Sequence, residues 1–244
     1  MTLAKLRTAL RASARPGDAV FLQRFFKTGP GEYAEGDRFL GVRVPAIRKL
    51  VRESGALAED DILALVRSAF HEERLLGLLL WVRRFERGDA AARRAIYRAY
   101  WRERGFVNNW DLVDSSAPQI VGGWVLEHPA ERTRLVRLAR SKNLWDRRIA
   151  MLATFALIRA REFSLTEQIA EILLTDEHDL IHKASGWMLR EMGLREPQRL
   201  RDFLDKHAAK MPRTMLRYAM EKLSPAMRER YLLMRPSKTS RCAA

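Results

Sequence analysis

The chain has 244 residues and 45 Lys plus Arg against 30 Asp plus Glu, a formal net charge of +15 with a pI near 10.7. That length can bury a large core, and the cationic excess favours a polyanionic partner, of which nucleic acid is the commonest. No apolar run approaches the ~20 residues of a membrane span, the single cysteine, Cys242, supports neither an internal disulfide nor a cysteine metal cluster, and residues 1–18 lack the apolar region of a signal peptide, so a cytoplasmic location is expected.

Apolar residues recur at helical spacing from the start. Leu3, Leu6 and Leu10 mark a helix over 2–13, and Ala19, Leu22, Phe25 and Phe26 mark a second over 18–27, with a break at Arg15-Pro16-Gly17. The stretch KTGPGEYAEGDRFLGVRVP (27–45) resists a helical reading. Gly29, Gly31, Gly36 and Gly41, with Pro30 and Pro45, predict a long loop or a short hairpin turning near 34–37. Long structured loops tend to be functional, and Lys27, Arg38 and Arg43 equip this one for an anionic partner.

Beyond Pro45 the spacing predicts helices over 43–54, 59–69, 72–87, 89–104, 109–127, 129–140, 144–160, 164–174, 179–192, 196–208 and 212–233, the last broken at Ser224-Pro225. Short connectors such as Arg87-Gly88-Asp89, His128-Pro129 and Glu196-Pro197 join antiparallel neighbours. The expected architecture is all-α, a right-handed α-solenoid of HEAT-like helical repeats with roughly 12–14 helices. One domain is expected over 1–234, with a disordered tail over 235–244.

Four segments open with polar residues and run into a helical pattern: HEERLLGLLLW (71–81), NNWDLVD (108–114), NLWDRRIAML (143–152) and DLIHKASGWMLRE (179–191). Stacked on that transition, one position holds Arg74, Asp114, Arg148 and Lys183, and Arg217 continues the series. The spacing of roughly 34 to 40 residues is that of stacked helical repeats, which present one helix position on one face. A column of cations interrupted by one acid is expected there.

FFKTGPGEYAEGDRFLGVRVP, NNWDLVD, NLWDRRIAM and HKASGWMLRE, in this order, resemble the AlkD-type HEAT-like-repeat DNA alkylation repair proteins over about residues 15 to 233. The resemblance implies a monofunctional glycosylase that removes 3-methyladenine and 7-methylguanine from duplex DNA held on a basic concave face, without base flipping. It also implies that Trp110 and Trp187 contact the deoxyribose, that Asp114 is the catalytic carboxylate and that Arg148 is a groove arginine. Arg74, Lys183 and Arg217, with Lys27, Arg38 and Arg43, are the expected DNA contacts. No cofactor and no metal are expected, and the protein is expected to act as a monomer.

The chemistry of those residue types suits the roles. Cleaving an N-glycosidic bond builds positive charge on the sugar, which an ionised carboxylate beside C1′ stabilises. Indole faces favour a developing cation, and a cationic lesion departs as a neutral base without a general acid. Other readings stay open from the residues alone. Asp114 and Asp111 lie near a helix start, where Asp serves as a cap or dipole partner, and Asp111 is assigned to capping. Trp110 and Trp187 also fit core positions, while Trp81, Trp101 and Trp124 are assigned to the core. His178 and His182 have metal-compatible spacing without a visible third ligand.

Two features depart from the family pattern. Asn109 stands where those glycosylases carry a second tryptophan, and the 27–45 stretch is interposed where their helical connection is shorter. The alternative function is therefore a non-catalytic relative that recognises branched or distorted DNA through the inserted loop.

Overall fold

A computed structural model of the chain describes residues 1–234, so the expectation for the tail falls outside the described residues. The contacts of the described residues group into two compact units, 1–124 and 125–234. Every regular element among the described residues is helical.

The first unit contains α1 (Leu3–Ala12), α2 (Pro16–Phe25), α3 (Val44–Glu53), α4 (Glu59–Val66), α5 (His71–Arg87), α6 (Ala90–Glu103) and α7 (Trp110–Asp114). Proline opens α2 and the Asp89 carboxylate caps α6 by accepting the Ala92 N–H at 2.8 Å. Helix α5 is the centre of the unit. Leu75, Leu76, Leu78, Leu79, Leu80, Trp81 and Phe85 are all buried, so it is apolar on every side as a helix packed all round must be. It contacts α3, α4, α6 and α7. Gly77 permits the close approach of α4, since a Cβ there would stand 2.8 Å from a Val66 methyl and 2.9 Å from its backbone nitrogen.

Helix α8 (Gly123–Glu127) crosses from one unit into the other. The second unit continues with α9 (Arg132–Leu138), α10 (Leu144–Arg159), α11 (Ser164–Ile172), α12 (Asp179–Arg195), α13 (Pro197–His207), α14 (Arg213–Ala219) and α15 (Pro225–Leu233). Asn143 caps α10 by accepting from Trp145 and Asp146, and Ser224 caps α15 by accepting from Met227. Ile149, Ala150, Met151, Leu152 and Ala153 are buried in sequence, which makes α10 the counterpart of α5. It packs on α9, α11 and α12, and α12 packs on α13 and α14.

One expectation needs correction and one open alternative is resolved. The helix expected over 109–127 is broken after α7. The Ser116 hydroxyl donates to the Leu112 carbonyl at 2.5 Å and Pro118 brings no N–H, so the ladder widens into a π turn at Pro118–Gly122 before α8 begins. Over 27–45 the loop forms and the hairpin does not. The N–H groups that a ladder needs are taken by carboxylates: Glu32 accepts from Gly29 and Glu35 from Gly31, each at 2.9 Å. Among the described residues the extended pairing is limited to a bridge between Arg38 and Phe70. No described helix is long and apolar enough to cross a membrane.

Candidate active site

The first turn of α5, His71-Glu72-Glu73-Arg74, holds four ionisable residues, all buried. Each is committed to a partner on another segment. Glu73 accepts from Arg7 at 2.9 Å and from Arg11 at 2.8 Å, which fastens α1. Glu72 accepts the backbone N–H groups of Leu40, Gly41 and Val42 at 2.9, 2.8 and 3.1 Å, which fastens the end of the 27–45 loop. Gly41 is required in that turn: its φ is +84° and a Cβ would stand 2.1 Å from the Arg15 carbonyl oxygen.

His71 and Arg74 close the same cluster. The imidazole Nδ1 lies 2.8 Å from Asp37 Oδ2 and Nε2 lies 2.8 Å from Asp111 Oδ2. Carboxylates only accept, so both ring nitrogens donate and the ring is an imidazolium. Burial pushes its pKa down, but the charges and hydrogen bonds of Asp111 and Asp37 outweigh that and raise it to about 9. Burial likewise raises the Asp37 carboxyl, and His71 and Arg74 together hold it below its ordinary value. Arg74 donates to Asp37 Oδ1 at 2.7 Å and to the Ser68 carbonyl at 3.1 Å. Expected as a solvent-facing DNA contact, Arg74 is instead 5% exposed, because the buried Asp37 carboxylate needs its charge.

Stacked on this cluster is a pile of rings. Phe39 lies 4.4 Å from His71, Phe26 lies 5.0 Å from Phe39, and Trp110 lies 5.1 Å from Phe26 at an interplanar angle of 16°. Phe25 meets Trp110 edge-on at 6.0 Å. Trp110 is thus half-buried on an aromatic support and not in the core between helices. Trp81, Trp101 and Trp124, assigned to the core, are buried.

Around α7, Asn109 is fully buried. Its side-chain oxygen accepts the Trp110 N–H at 2.8 Å and its amide donates to Asp37 Oδ2 at 3.4 Å. Asn109 is therefore the cap and Asp111 is not, since the Asp111 carboxylate is turned onto His71. Asp114 ends the helix half-buried. Tyr100 lies close to its charge: burial pushes the phenol up, the hydrogen bond with Ser116 opposes this, and the negative charge of Asp114 adds to the rise. The Tyr100 hydroxyl donates to Ser116 at 3.1 Å, which braces the turn that follows Asp114.

In the second unit, Arg148 on α10 is 5% exposed and its guanidinium donates to the Leu180 carbonyl. Expected as a groove arginine, it ties α10 to the start of α12, because a buried guanidinium must find acceptors. Trp187 on α12 is half-buried, with its indole N–H donated to Glu191 at 3.2 Å and its ring 6.1 Å from Phe155. Lys183 pairs with Asp179 at 2.7 Å, and Arg217 on α14 is exposed. Among the loop cations, Lys27 stands 3.9 Å from Glu32, Arg38 lies over the Phe70 ring at 4.7 Å and Arg43 pairs with Asp18 at 2.6 Å. His178 caps α12 through Leu180 N–H and His182 donates to the Asp176 carbonyl. No group of three His, Cys, Asp or Glu among the described residues is placed for a metal ion.

Reading the sequence alone missed His71, Asp37 and Glu72. The signal was present in HEER, four ionisable residues directly ahead of an apolar run, where a solvated first turn would leave that run half exposed.

A family model described as DNA alkylation repair enzyme matches residues 6–223. The chain is also similar in fold to a solved structure, a predicted DNA alkylation repair enzyme from Enterococcus faecalis, with a TM-score of 0.68 and 20% identity over 87% of this chain and 98% of that one. No curated relative matches it significantly.

Proposed function

This chain belongs to the DNA alkylation repair enzyme family, and on that premise we propose that it is a monofunctional DNA glycosylase for cationic 3-methyladenine and 7-methylguanine. It acts on duplex DNA as a monomeric, cytoplasmic, single repeat domain over 1–234, without a cofactor or base flipping. The observation that carries the reading is the setting of α7. Trp110 and Asp114, the two residue types that the reaction calls for, stand half-buried at the two ends of one helical turn. That turn is held from below by Asp111 on His71 and by Trp110 on Phe26.

In the mechanism, the C1′–N bond breaks heterolytically and its electron pair leaves with the base, which becomes neutral. The carboxylate of Asp114 stabilises the positive charge that grows on the sugar, and it accepts a proton from the water that attacks C1′. Trp110 covers the sugar with an indole face. Arg148 serves by holding α10 to α12, since its guanidinium is occupied by Leu180. Arg217, Lys183 and the loop cations Lys27, Arg38 and Arg43 contribute phosphate contacts.

The alternative, recognition of branched DNA through the 27–45 loop without catalysis, has less support. The tip of that loop carries Glu32 and Glu35, both exposed and both fixed by backbone N–H groups, so acid faces outward where a phosphate would have to come. Incubation with methylated DNA and measurement of released bases separates the two readings. The glycosylase reading expects release that Asp114→Asn abolishes; no release above the Asp114→Asn background removes it.

A further inference from the structure

Helix α2 has a face that the fold does not use. None of its residues is buried, and it presents Val20 (60% exposed), Phe21 (53%) and Phe25 (52%) to solvent. Phe21 and Phe25 are four residues apart, so they share a face, and their rings lie 6.0 Å apart and nearly parallel at 14°. Phe25 continues the surface to Trp110 at 6.0 Å, and Val44, 43% exposed, follows Arg43, whose guanidinium sits 5.6 Å from the Phe21 ring. Two neighbouring phenylalanines that remain half exposed forgo the burial that normally accounts for large apolar side chains in helices.

We propose that Phe21 and Phe25, with Trp110 beside them, form a stacking surface for an unpaired nucleobase of distorted DNA. The inference rests on the DNA-binding reading above and adds the feature of DNA that this chain selects. Flat aromatic rings accept any base, because every base has a π-face, and stacking tolerates sequence. A base within an intact duplex offers no free face, so only a bulged, mismatched or extruded nucleotide gains the contact.

The surroundings favour a nucleic acid over other occupants of an apolar face. Arg15, Arg24, Lys27 and Arg43 are exposed around the ridge, and Asp18 is the acid on α2, already paired with Arg43. Such a ring of cations repels a second copy of the same face and attracts a phosphate backbone. The surface is also stiff. Trp110 rests on Phe26, Phe26 on Phe39, and Phe39 on the clamped His71. Little side-chain freedom remains for a bound base to remove at Trp110.

The test compares affinity for a fully paired duplex with that for the same duplex carrying a single-nucleotide bulge, 2-aminopurine at the bulge, at one salt concentration. The wild type is expected to prefer the bulged duplex and to quench the 2-aminopurine. Phe21→Ala and Phe25→Ala are each expected to lose roughly 5- to 150-fold on the bulged duplex, the range of one lost base stack, with paired-duplex affinity unchanged and helical circular dichroism intact. Phe21→Trp is expected to retain the preference. Equal loss on both duplexes, an unchanged preference in both Ala variants, or loss of vesicle binding or self-association in place of bulge binding overturns the proposal. Failure to bind either duplex removes the DNA reading as well, whereas release of methylated bases by protein indifferent to the bulge removes this inference alone.

Discussion

His71 and Asp37 meet at 2.8 Å inside the first unit, with 2% and 4% of their side chains exposed, and the far side of the same imidazole meets Asp111. One imidazolium therefore joins the inserted loop, the central helix α5 and the helix that carries Trp110 and Asp114. Three segments distant in sequence share a single proton-dependent joint.

That joint makes stability depend on pH with a definite sign. His71 is raised from 6.5 to about 9, so its contribution is complete below its unfolded value and is lost as pH rises through about 9. The difference corresponds to roughly 3 kcal/mol as an upper figure. Asp37 is lowered, so its contribution is present above 3.8 and lost as pH falls through its folded value. Thermal unfolding of the wild type is expected to drop between pH 7 and pH 10. In His71→Gln, already weakened by about 3 kcal/mol because Asp111 loses its imidazolium and Asp37 keeps only Arg74, that drop should vanish; a parallel alkaline decline in both proteins would refute the joint.

Glu72 makes a separate prediction about the loop. Glu72→Gln turns an amide group toward N–H donors that now meet a carboxylate, and a cost of about 2 kcal/mol is expected. Hydrogen exchange should quicken at Leu40, Gly41 and Val42 while the amides of α5 stay protected. Uniform quickening over both would show that Glu72 supports the helix and not the loop.

Gly41→Ala combines a left-handed backbone with a collision against the Arg15 carbonyl. Strain of this kind costs of order 1–3 kcal/mol before the collision is counted. Denaturant titration is expected to move its midpoint to lower concentration with the slope unchanged. Gly36→Ala, also left-handed at +79° but with nothing near its Cβ, should cost less.

Two cations from one sequence column should behave differently. Arg217 is exposed, so Arg217→Ala should leave the melting temperature in place and reduce the salt slope of DNA binding by about 1. Arg74 is buried against Asp37, so Arg74→Ala should destabilise the protein by about 3–5 kcal/mol. If Arg74→Ala is as stable as the wild type and only the salt slope falls, the buried pairing is refuted.

Asp114→Asn and Trp110→Ala divide the proposed reaction. Asp114→Asn should bind methylated DNA normally and release bases at least about 100-fold more slowly, as losing one electrostatic stabiliser of the transition state does elsewhere. Trp110→Ala should weaken both binding and release. Single-turnover kinetics at saturating protein reads the first effect without the second.

By itself the sequence determined the helices and their order. Leu3, Leu6 and Leu10, or the run from Leu75 to Trp81, announce their faces through local spacing, and Asn143 and Ser224 mark starts through local backbone chemistry. The family was legible for a similar reason, since NNWDLVD and HKASGWMLRE are contiguous. Tertiary structure decided which charges are spent inside. Arg74 and Arg217 hold equivalent places in the repeat, yet one is buried against Asp37 from a loop 37 residues earlier and the other faces water. The same holds for Asp111, which by position was a cap and in the fold is the second carboxylate on His71. Spacing along a helix tells which way a side chain points, but its charge is committed by whatever distant segment arrives there, and burial then makes that commitment costly to undo.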